Sequence, residues 1–173
     1  MLLLHKCPWY AICVRSRFEN VTSRALEKHG YSTYVPFYAI SRHGSGRSKA
    51  VKFPLFPGYI FCRIDLNACL PVLTAPGVRH IVGAGPQPRA IPDDQIHAIQ
   101  AIAASGQSYE PCRYQTKGQR VRVISGPMRS VEGIVIHDKS QSRLIISIPL
   151  LQRSVAVDID RFCLKPIASA TAD

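Results

Sequence analysis

A polar segment without apolar periodicity, Ser105–Thr116, divides the 173-residue sequence into two parts with different patterns. It contains Gly106 and Pro111, which are residue types that interrupt helices and strands. Upstream of it, short apolar runs alternate with segments of helical spacing, whereas downstream only short β-rich runs follow. We therefore predict two domains, at residues 6–105 and 115–167, joined by a linker at 106–114 and followed by a C-terminal tail at 168–173.

The first part has the pattern of an α+β domain. Its strand candidates are aromatic and β-branched runs, and its helix candidates repeat apolar residues about every three to four positions. The Gly- and Ser-rich segment Ser41–Ala50 is predicted to be a loop. We predict strands at Trp9–Val14, Tyr31–Ile40 (interrupted by Pro36), Tyr59–Ile64 and Val78–Val82, and helices over Arg17–His29 and from Ile91–Asp94 through Ala104. The predicted apolar face of the first helix consists of Phe18, Val21, Ala25 and Leu26.

The second part has the pattern of a small antiparallel β-barrel of about fifty residues. Valines alternate with arginines in its first run, so we expect Val121 and Val123 to face a core. Turn-forming residues separate the runs. The predicted strands are Gln119–Ile124, Val131–His137, Leu144–Ile148 and Val155–Ile159. The predicted fold class of the whole chain is therefore α+β: an antiparallel sheet with helices, followed by a small barrel.

The sequence is strongly basic, and its charge is unevenly distributed. The formal net charge is +11, and residues 1–60 hold nine Lys or Arg against two Asp or Glu. A compact basic protein usually binds a polyanion, of which nucleic acid is the first candidate and an anionic membrane surface the second. The early apolar run Leu2–Leu4 is too short for a signal-peptide core or a membrane span. We expect a cytoplasmic protein that does not enter a membrane.

Part of this charge falls on one stripe of the first predicted helix. Arg17, Arg24 and Lys28 stand at i, i+7 and i+11, within about 40° of one another around the helix axis. Cations aligned in this way, without an interleaved carboxylate, favour a surface that follows nucleic-acid phosphates. The alternative is an ordinary solvated helix face whose charge only keeps the protein soluble. The candidate nucleic-acid-binding residues are Arg15, Arg17, Arg24, Lys28, Arg79 and His80.

The segment Phe53–Tyr59 is unusually apolar for a stretch with two prolines. Because proline disrupts strand pairing, part of the segment should be irregular and near the surface. Exposed aromatic residues on irregular backbone often mark a protein-binding patch. The alternative interpretation, that Phe56 belongs to the core, is equally compatible with the sequence.

No grouping typical of a catalytic or metal centre is recognisable in the sequence. The six cysteines include no C-x-x-C pair, and the six histidines are scattered. The segment Gly44–Lys49 lacks the spacing of a phosphate-binding loop, and Gly83–Gly85 opens no predicted helix. We therefore expect a protein that is not an enzyme, that holds no metal or cofactor, and whose cysteines are reduced and mostly buried.

Several motifs occur together in an order that resembles the NusG family of transcription elongation factors. The resemblance covers roughly residues 8–167 and implies an N-terminal NGN domain and a C-terminal KOW domain, the latter a small SH3-like β-barrel. The motifs are Trp9-Tyr10, Leu55-Phe56-Pro57-Gly58-Tyr59-Ile60, Pro76-Gly77-Val78, Ile91-Pro92 with the following helix, and Lys117-Gly118-Gln119-Arg120-Val121-Arg122-Val123-x-x-Gly126-Pro127 followed by Glu132-Gly133.

The resemblance also implies partners and site residues. In this family the NGN domain grips the clamp helices of RNA polymerase through an apolar depression, and a basic NGN face meets exposed non-template DNA. Arg15 matches a basic residue of that face. Within the KOW motif, Gly126 and Pro127 imply a turn, and Gly133 allows a close backbone approach. The implied wall of the polymerase-binding depression consists of Tyr10, Phe56, Pro57, Ile96 and Ile99.

Within the family, two segments resemble the specialised RfaH and UpxY-type antiterminators, namely Leu55-Phe56-Pro57 and residues 148–157. We therefore expect a monomeric elongation and antitermination factor that promotes processive transcription at selected operons. The alternatives are a general NusG-type elongation or termination factor, and a KOW adaptor that binds RNA or a ribosomal protein. The high β propensity of residues 119–159 predicts that the KOW domain is a constitutive barrel.

Overall fold

The computed structural model describes residues 7–44, 47–138 and 141–167. The chain divides into two compact units, the first ending at Asp93 and the second beginning at Asp94. This division lies at the start of the helix that the sequence prediction assigned to the first domain. The predicted tail at 168–173 and residues 45–46 of the predicted loop lie outside the described residues. Within the described ranges, no helix is long and apolar enough to cross a membrane.

The first unit is built on a four-stranded antiparallel sheet in which the strands lie side by side in the order Thr33–Tyr34, Tyr59–Arg63, Trp9–Val14 and Val78–Ile81. The predicted strands at Trp9–Val14, Tyr59–Ile64 and Val78–Val82 are confirmed with ends shifted by at most one residue. A 3-10 turn at Leu66–Ala68 precedes its shortest helix. The elements of this unit are β1 (Trp9–Val14), α1 (Glu19–Lys28), β2 (Thr33–Tyr34), β3 (Phe37–Gly44), β4 (Arg47–Pro54), β5 (Tyr59–Arg63), α2 (Leu70–Leu73), β6 (Val78–Ile81), β7 (Gly83–Ala84) and β8 (Gln87–Pro88).

One face of this sheet carries a hydrophobic core that includes Leu26 of α1 and Val72 of α2. The alternation of strand side chains places Ile60 and Cys62 of β5 on this face and Phe61 on the opposite one. Cys62 is fully buried, and its burial raises the pKa of the thiol to about 12. None of the six cysteines forms a disulfide.

Helix α1 begins later than the sequence pattern predicts. Arg17 has a φ of 69°, which is incompatible with a helix, and the helix starts at Glu19. The predicted apolar face is also partly wrong, because Val21 is 50% exposed. The side that α1 turns inward is mostly polar and consists of Glu19, Thr22, Ser23 and Leu26, all of them buried.

The predicted loop at Ser41–Ala50 is wrong, because most of it belongs to a long antiparallel hairpin. Strands β3 and β4 pair from Phe37 opposite Pro54 to Gly44 opposite Arg47. The two strands form a sheet of their own. Ser41, Gly44 and Ser48, which contributed to the prediction of a loop, therefore lie in paired strands.

The second unit contains a six-stranded antiparallel sheet in which the strands lie side by side in the order Leu164–Pro166, Gln119–Val123, Glu132–Asp138, Gln141–Ile148, Arg153–Ile159 and Tyr109–Arg113. The four predicted strands are confirmed, two of them with earlier starts. Two further strands were not predicted: Tyr109–Arg113 within the predicted linker and the short Leu164–Pro166 near the C-terminal end. The elements are α3 (Asp93–Ala104), which begins at the last residue of the first unit, β9 (Tyr109–Arg113), β10 (Gln119–Val123), β11 (Glu132–Asp138), β12 (Gln141–Ile148), a 3-10 turn (Pro149–Leu151), β13 (Arg153–Ile159), a 3-10 turn (Arg161–Cys163) and β14 (Leu164–Pro166).

The predicted linker at 106–114 contains strand β9, so it is not a free connection. Residues of β9 pair with β13 from Arg113 opposite Arg153 to Tyr109 opposite Val157. Arg143 of β12 also forms ion pairs with both strands. Its guanidinium donates to Glu110 of β9 at 2.6 Å and to Asp158 of β13 at 3.2 Å. Pro111 is tolerated because β9 is an edge strand of the sheet.

Candidate functional site

The segment between β4 and β5 is a tight turn that is closed by one hydrogen bond and joined to β1 and α1 by two others. The Tyr59 N–H donates to the Phe56 carbonyl at 3.1 Å, which closes the turn around Pro57 and Gly58. Gly58 has a φ of 82°, so the Pro-Gly pair occupies the two central positions as in a type II turn. The Gly58 carbonyl accepts from the Val14 N–H at 2.8 Å, which joins the turn to β1.

Glu19 is the residue that connects this turn to α1. Its side chain is only 4% exposed, and its Oε1 accepts from the Gly58 N–H at 2.8 Å. A buried carboxylate needs such a donor, since an unpartnered one would cost several kcal/mol. Sequence reasoning missed Glu19 because the predicted helix start at Arg17 made it an ordinary first-turn residue. The available signal was that acidic residues are favoured in the first turn of a helix, where Glu19 is the first residue of the observed α1.

Phe56 belongs to the core and not to an exposed patch. It is 2% exposed, and its ring meets that of Phe61 edge to face with the centroids 5.5 Å apart. Phe61 in turn stacks on Tyr34 at 6.3 Å. Of the two interpretations of this segment, burial supports the one in which Phe56 fills the core. Pro57, at the tip of the turn, is exposed.

The five residues predicted to line one depression do not form one exposed surface. Tyr10 lies in the core cluster on the α1 face of the sheet, whereas Phe56 contacts Phe61 on the opposite face, so Tyr10 cannot share a wall with it. Ile96 and Ile99 lie one turn apart on α3, as predicted, and both are fully buried. Of the five, Pro57 alone is exposed.

A second group, the basic corner, is formed by Arg15, Arg17, Arg79 and His80. All four are exposed. The loop after β1 and the loop before β6 are joined here, because the Arg15 N–H donates to the Gly77 carbonyl at 2.8 Å. Arg15 and Arg17 precede α1, while Arg79 and His80 lie in β6 shortly after Gly77, so this bond brings the backbones of the two segments together.

Two further contacts hold this joint together. The Thr22 hydroxyl of α1 donates to the Pro76 carbonyl at 2.6 Å. Gly77 packs so closely on the Phe18 ring that a Cβ at this position would overlap it. In β6, Arg79 is the extra residue of a bulge, because Val78 pairs with Val14 and His80 pairs with Cys13. The cations of the basic corner are therefore displayed from a fixed backbone.

Arg24 and Lys28 continue the cationic surface along the outward side of α1. Both are exposed, and the exposed Val21 lies on the same stripe. Thr22 is the helix residue whose hydroxyl bonds to the loop next to the basic corner, and Lys28 lies about 9 Å beyond it along the helix axis. The predicted stripe of three cations is thus corrected to two on the helix, with Arg17 in the preceding loop.

The two carboxylates of α1 bond to groups other than the exposed cations Arg24 and Lys28. Glu19 is held by the Gly58 N–H, as described above. Glu27 accepts from the Thr33 hydroxyl at 2.6 Å and from the Ser23 hydroxyl at 3.1 Å. Among the described residues, neither carboxylate forms an ion pair with Arg24 or Lys28, so both cations are open to a ligand.

The three KOW-motif residues occupy positions that their residue types explain. Gly126 has a φ of 81° in the turn between β10 and β11, next to the exposed Pro127. Gly133 lies in β11, and a Cβ there would approach the Ile145 carbonyl oxygen to 2.6 Å. Only glycine therefore lets β11 and β12 come this close. Among the described residues, no group of three His, Cys, Asp or Glu side chains could hold a metal ion.

A family model described as "Transcription termination factor nusG" matches residues 7–100, which is more than half of the chain. The protein therefore belongs to the NusG family.

Relatives in distant bacteria match over almost the whole chain. The "Transcription termination/antitermination protein NusG" of Buchnera aphidicola is 27% identical over 170 residues, covering 90% of this chain and 94% of the relative. The protein of the same name from Thermus thermophilus is 29% identical over 173 residues, covering 88% and 94%. A solved structure titled "Domain interaction in Thermotoga maritima NusG" has a TM-score of 0.53 and 22% identity, covering 95% and 99%, and supports the fold alone.

Proposed function

We propose that this protein is a general NusG-type transcription elongation and termination factor that binds RNA polymerase through its first unit. The observation that carries the proposal is the family match, which spans the whole sheet of that unit together with the Phe56–Tyr59 turn. The relatives that match nearly end to end are named termination/antitermination proteins. These comparisons favour the general factor over the specialised antiterminator that the sequence predicted.

The proposed polymerase contact is centred on the turn and uses Pro57 at its tip. The turn is fastened to β1 through Val14 and to α1 through Glu19, so its apolar tip is presented with little loss of entropy on binding. Phe56 contributes by holding the turn from beneath. The clamp helices of the polymerase are the proposed partner. Bound there, the protein stabilises the closed, processive form by binding it more tightly than the open form. No bond is made or broken in this role.

The basic corner and the outward stripe of α1 are the proposed contact for non-template DNA. Arg15 and Arg79, brought together by the loop joint, would contact phosphates, and Arg24 and Lys28 would extend the track. Such contacts position the strand and carry no sequence information by themselves. They make the affinity fall with increasing salt.

A pull-down with core RNA polymerase tests the polymerase contact. Pro57→Glu should weaken binding by at least tenfold, because a charge at the tip of the turn would be buried against an apolar surface. Pro86→Glu is the matched control, since Pro86 is another exposed proline at a turn, between β7 and β8. Equal binding by both variants would reject the turn as the contact, and no binding by the unaltered protein would reject the proposed function.

The specialised antiterminator remains a second candidate because of Leu55-Phe56-Pro57 and residues 148–157. Genome-wide mapping of the protein on transcribed DNA separates the two candidates. Occupancy that follows polymerase across most genes indicates the general factor, whereas occupancy confined to a few operons indicates the specialised one.

We also propose that the second unit is a KOW domain and that its sheet closes into a barrel. Support comes from its six strands in antiparallel order and from the close approach of β11 and β12 at Gly133. A ribosomal protein is one proposed partner of this unit. Pull-down of ribosomal proteins by the full chain, with Gly126→Ala and Gly133→Ala as variants of the motif, tests this part.

A further inference from the structure

The most exposed large apolar side chain in the described part of the chain is Phe162, at 77%. The surrounding turn is built to hold it there. Asp160 caps the 3-10 turn Arg161–Cys163, with its Oδ1 accepting from the Phe162 N–H at 2.9 Å. The Cys163 N–H donates to the Asp160 carbonyl at 2.9 Å. Phe162 is thus presented on a fixed backbone, and its ring is not part of the core.

Phe162 has a cation against its ring and a second apolar residue beside it. The guanidinium carbon of Arg161 lies 5.1 Å from the ring centroid, on one face. The Ile124 N–H donates to the Cys163 carbonyl at 2.8 Å, which places the 46%-exposed Ile124 next to the turn. We call this surface, together with Lys165 described below, the Phe162 patch.

Lys165 extends the patch along β14. It pairs with Arg122 of β10, and since the flanking Val121 and Val123 are buried, Arg122 and Lys165 face outward. Arg122 is bound by Glu132, with 2.8 Å between its Nε and Oε1. Among the described residues, neither Arg161 nor Lys165 has an ion-pair partner, so both charges are open to a ligand.

We propose that the Phe162 patch binds single-stranded RNA by stacking a base on Phe162 and placing the adjoining phosphates near Arg161 and Lys165. An open aromatic face beside unpaired cations matches the chemistry of an unstacked base on a polyanionic backbone. A duplex offers no open base face. The choice of RNA over DNA rests on the proposed function, in which single-stranded RNA is the product of the bound enzyme.

Fluorescence anisotropy of the full chain with labelled oligouridine of about 12 nucleotides tests the proposal. Phe162→Ala should weaken binding by about 5- to 100-fold, since aromatic stacking is worth that much per base. Phe162→Trp should preserve the affinity. Phe162→Leu is expected to weaken it almost as much as alanine, because leucine keeps the apolar surface and loses the stacking face. Leu70→Ala is the matched control, being a 69%-exposed apolar residue of the first unit.

Three results would overturn the proposal. The first is unchanged affinity for Phe162→Ala, which would place RNA binding elsewhere on the chain. The second is full affinity for Phe162→Leu, which would indicate an apolar docking site for a protein. The third is a loss of oligothymidine affinity for Phe162→Ala as large as the loss of oligouridine affinity, which would remove the assignment to RNA. Ultraviolet cross-linking to the same oligouridine should identify Phe162 directly. None of these measurements contains polymerase, so they can fail while the polymerase pull-down succeeds, and the reverse.

Discussion

Replacing Phe56 with alanine should destabilise the first unit rather than remove a contact residue. The ring is 2% exposed and meets Phe61 edge to face at 5.5 Å. In this position the side chain anchors the turn that carries Pro57. A loss of polymerase binding by this variant would therefore follow from unfolding or loosening of the turn.

The size of the effect follows from the burial. Truncating a buried phenylalanine to alanine costs about 3–5 kcal/mol, which includes the transfer of the ring and the cavity it leaves. The edge-to-face pair with Phe61 contributes about 0.5–1.5 kcal/mol of this cost. Small domains have a free energy of unfolding of about 5–15 kcal/mol, so about a fifth or more of the stability of the unit is at risk.

The chain supplies its own probe for this measurement. Trp9 is the only tryptophan, and it lies buried in β1 of the same unit with the Arg63 guanidinium 4.7 Å from its ring centroid. Urea unfolding followed by its fluorescence should show the loss for Phe56→Ala. The neighbouring Pro57→Ala should cost at most about 1 kcal/mol, because Pro57 is exposed and its main effect is to restrict the unfolded chain.

A double-mutant cycle tests the pair itself. Phe56→Ala and Phe61→Ala should couple by about 0.5–1.5 kcal/mol, as expected for rings in contact. A loss below about 1 kcal/mol for Phe56→Ala, together with no coupling to Phe61, would show that the ring is not packed in the core. In that case the exposed-patch interpretation of the segment would be restored.

Three further predictions concern other parts of the molecule. Gly133→Ala should cost about 1–3 kcal/mol in thermal unfolding followed by circular dichroism, because its Cβ would approach the Ile145 carbonyl oxygen to 2.6 Å. The cost of Cys62→Ala should shrink by about 2 kcal/mol between about pH 7.5 and about pH 10.5, as urea unfolding at each pH would show. Burial raises the pKa of the Cys62 thiol from 9.0 to about 12, so the stabilisation is complete below pH 9.0, where both states are protonated, and is lost as pH rises toward 12 and only the unfolded state ionises. Replacing Arg24 and Lys28 with alanine should reduce the salt dependence of single-stranded DNA affinity by about 1.4 in log–log slope, and an unchanged slope would remove both from the interface.

The strands with strict alternation were predictable from the sequence because each carries its own evidence. In β10, Val121 and Val123 face inward and Arg122 faces outward, so five residues suffice to define the strand. The run Trp9–Val14 is similar, since it combines aromatic and β-branched residues. In these segments, local pattern and tertiary burial agree.

The hairpin of β3 and β4 was not predictable in this way. Its Gly and Ser residues are typical of loops, and its strands are stabilised by pairing with each other, for example Ala39 with Lys52. A short window contains only one of the two partners. The strand within the predicted linker was missed for the same reason, because Glu110 and its neighbours are held by β13 and by Arg143.

The site was harder to predict than the fold because side-chain direction in a turn has no period. Phe56 and Pro57 are adjacent, yet one is buried and the other is exposed. Their directions are set by Phe61 beneath the turn and by Glu19 on α1, which lie elsewhere in the sequence. Likewise, Arg17 was placed on a helix by counting residues, but the contact of Phe18 with Gly77 fixes a non-helical start.

The last residues of the first unit are hydrogen-bonded to its first strand, β1. The Ile91 N–H donates to the Trp9 carbonyl at 2.7 Å, and Arg63 joins the same region by donating to the Asp93 carboxylate at 2.8 Å and to the Cys7 carbonyl at 2.6 Å. The two bridged residues are 91 − 9 = 82 positions apart in the sequence. During synthesis, this closure can therefore form only after residue 91 has left the ribosome, which is about 4–16 s after residue 9 at typical elongation rates. A nascent chain arrested before that point would lack the closure and should be cleaved by protease much faster than the finished unit.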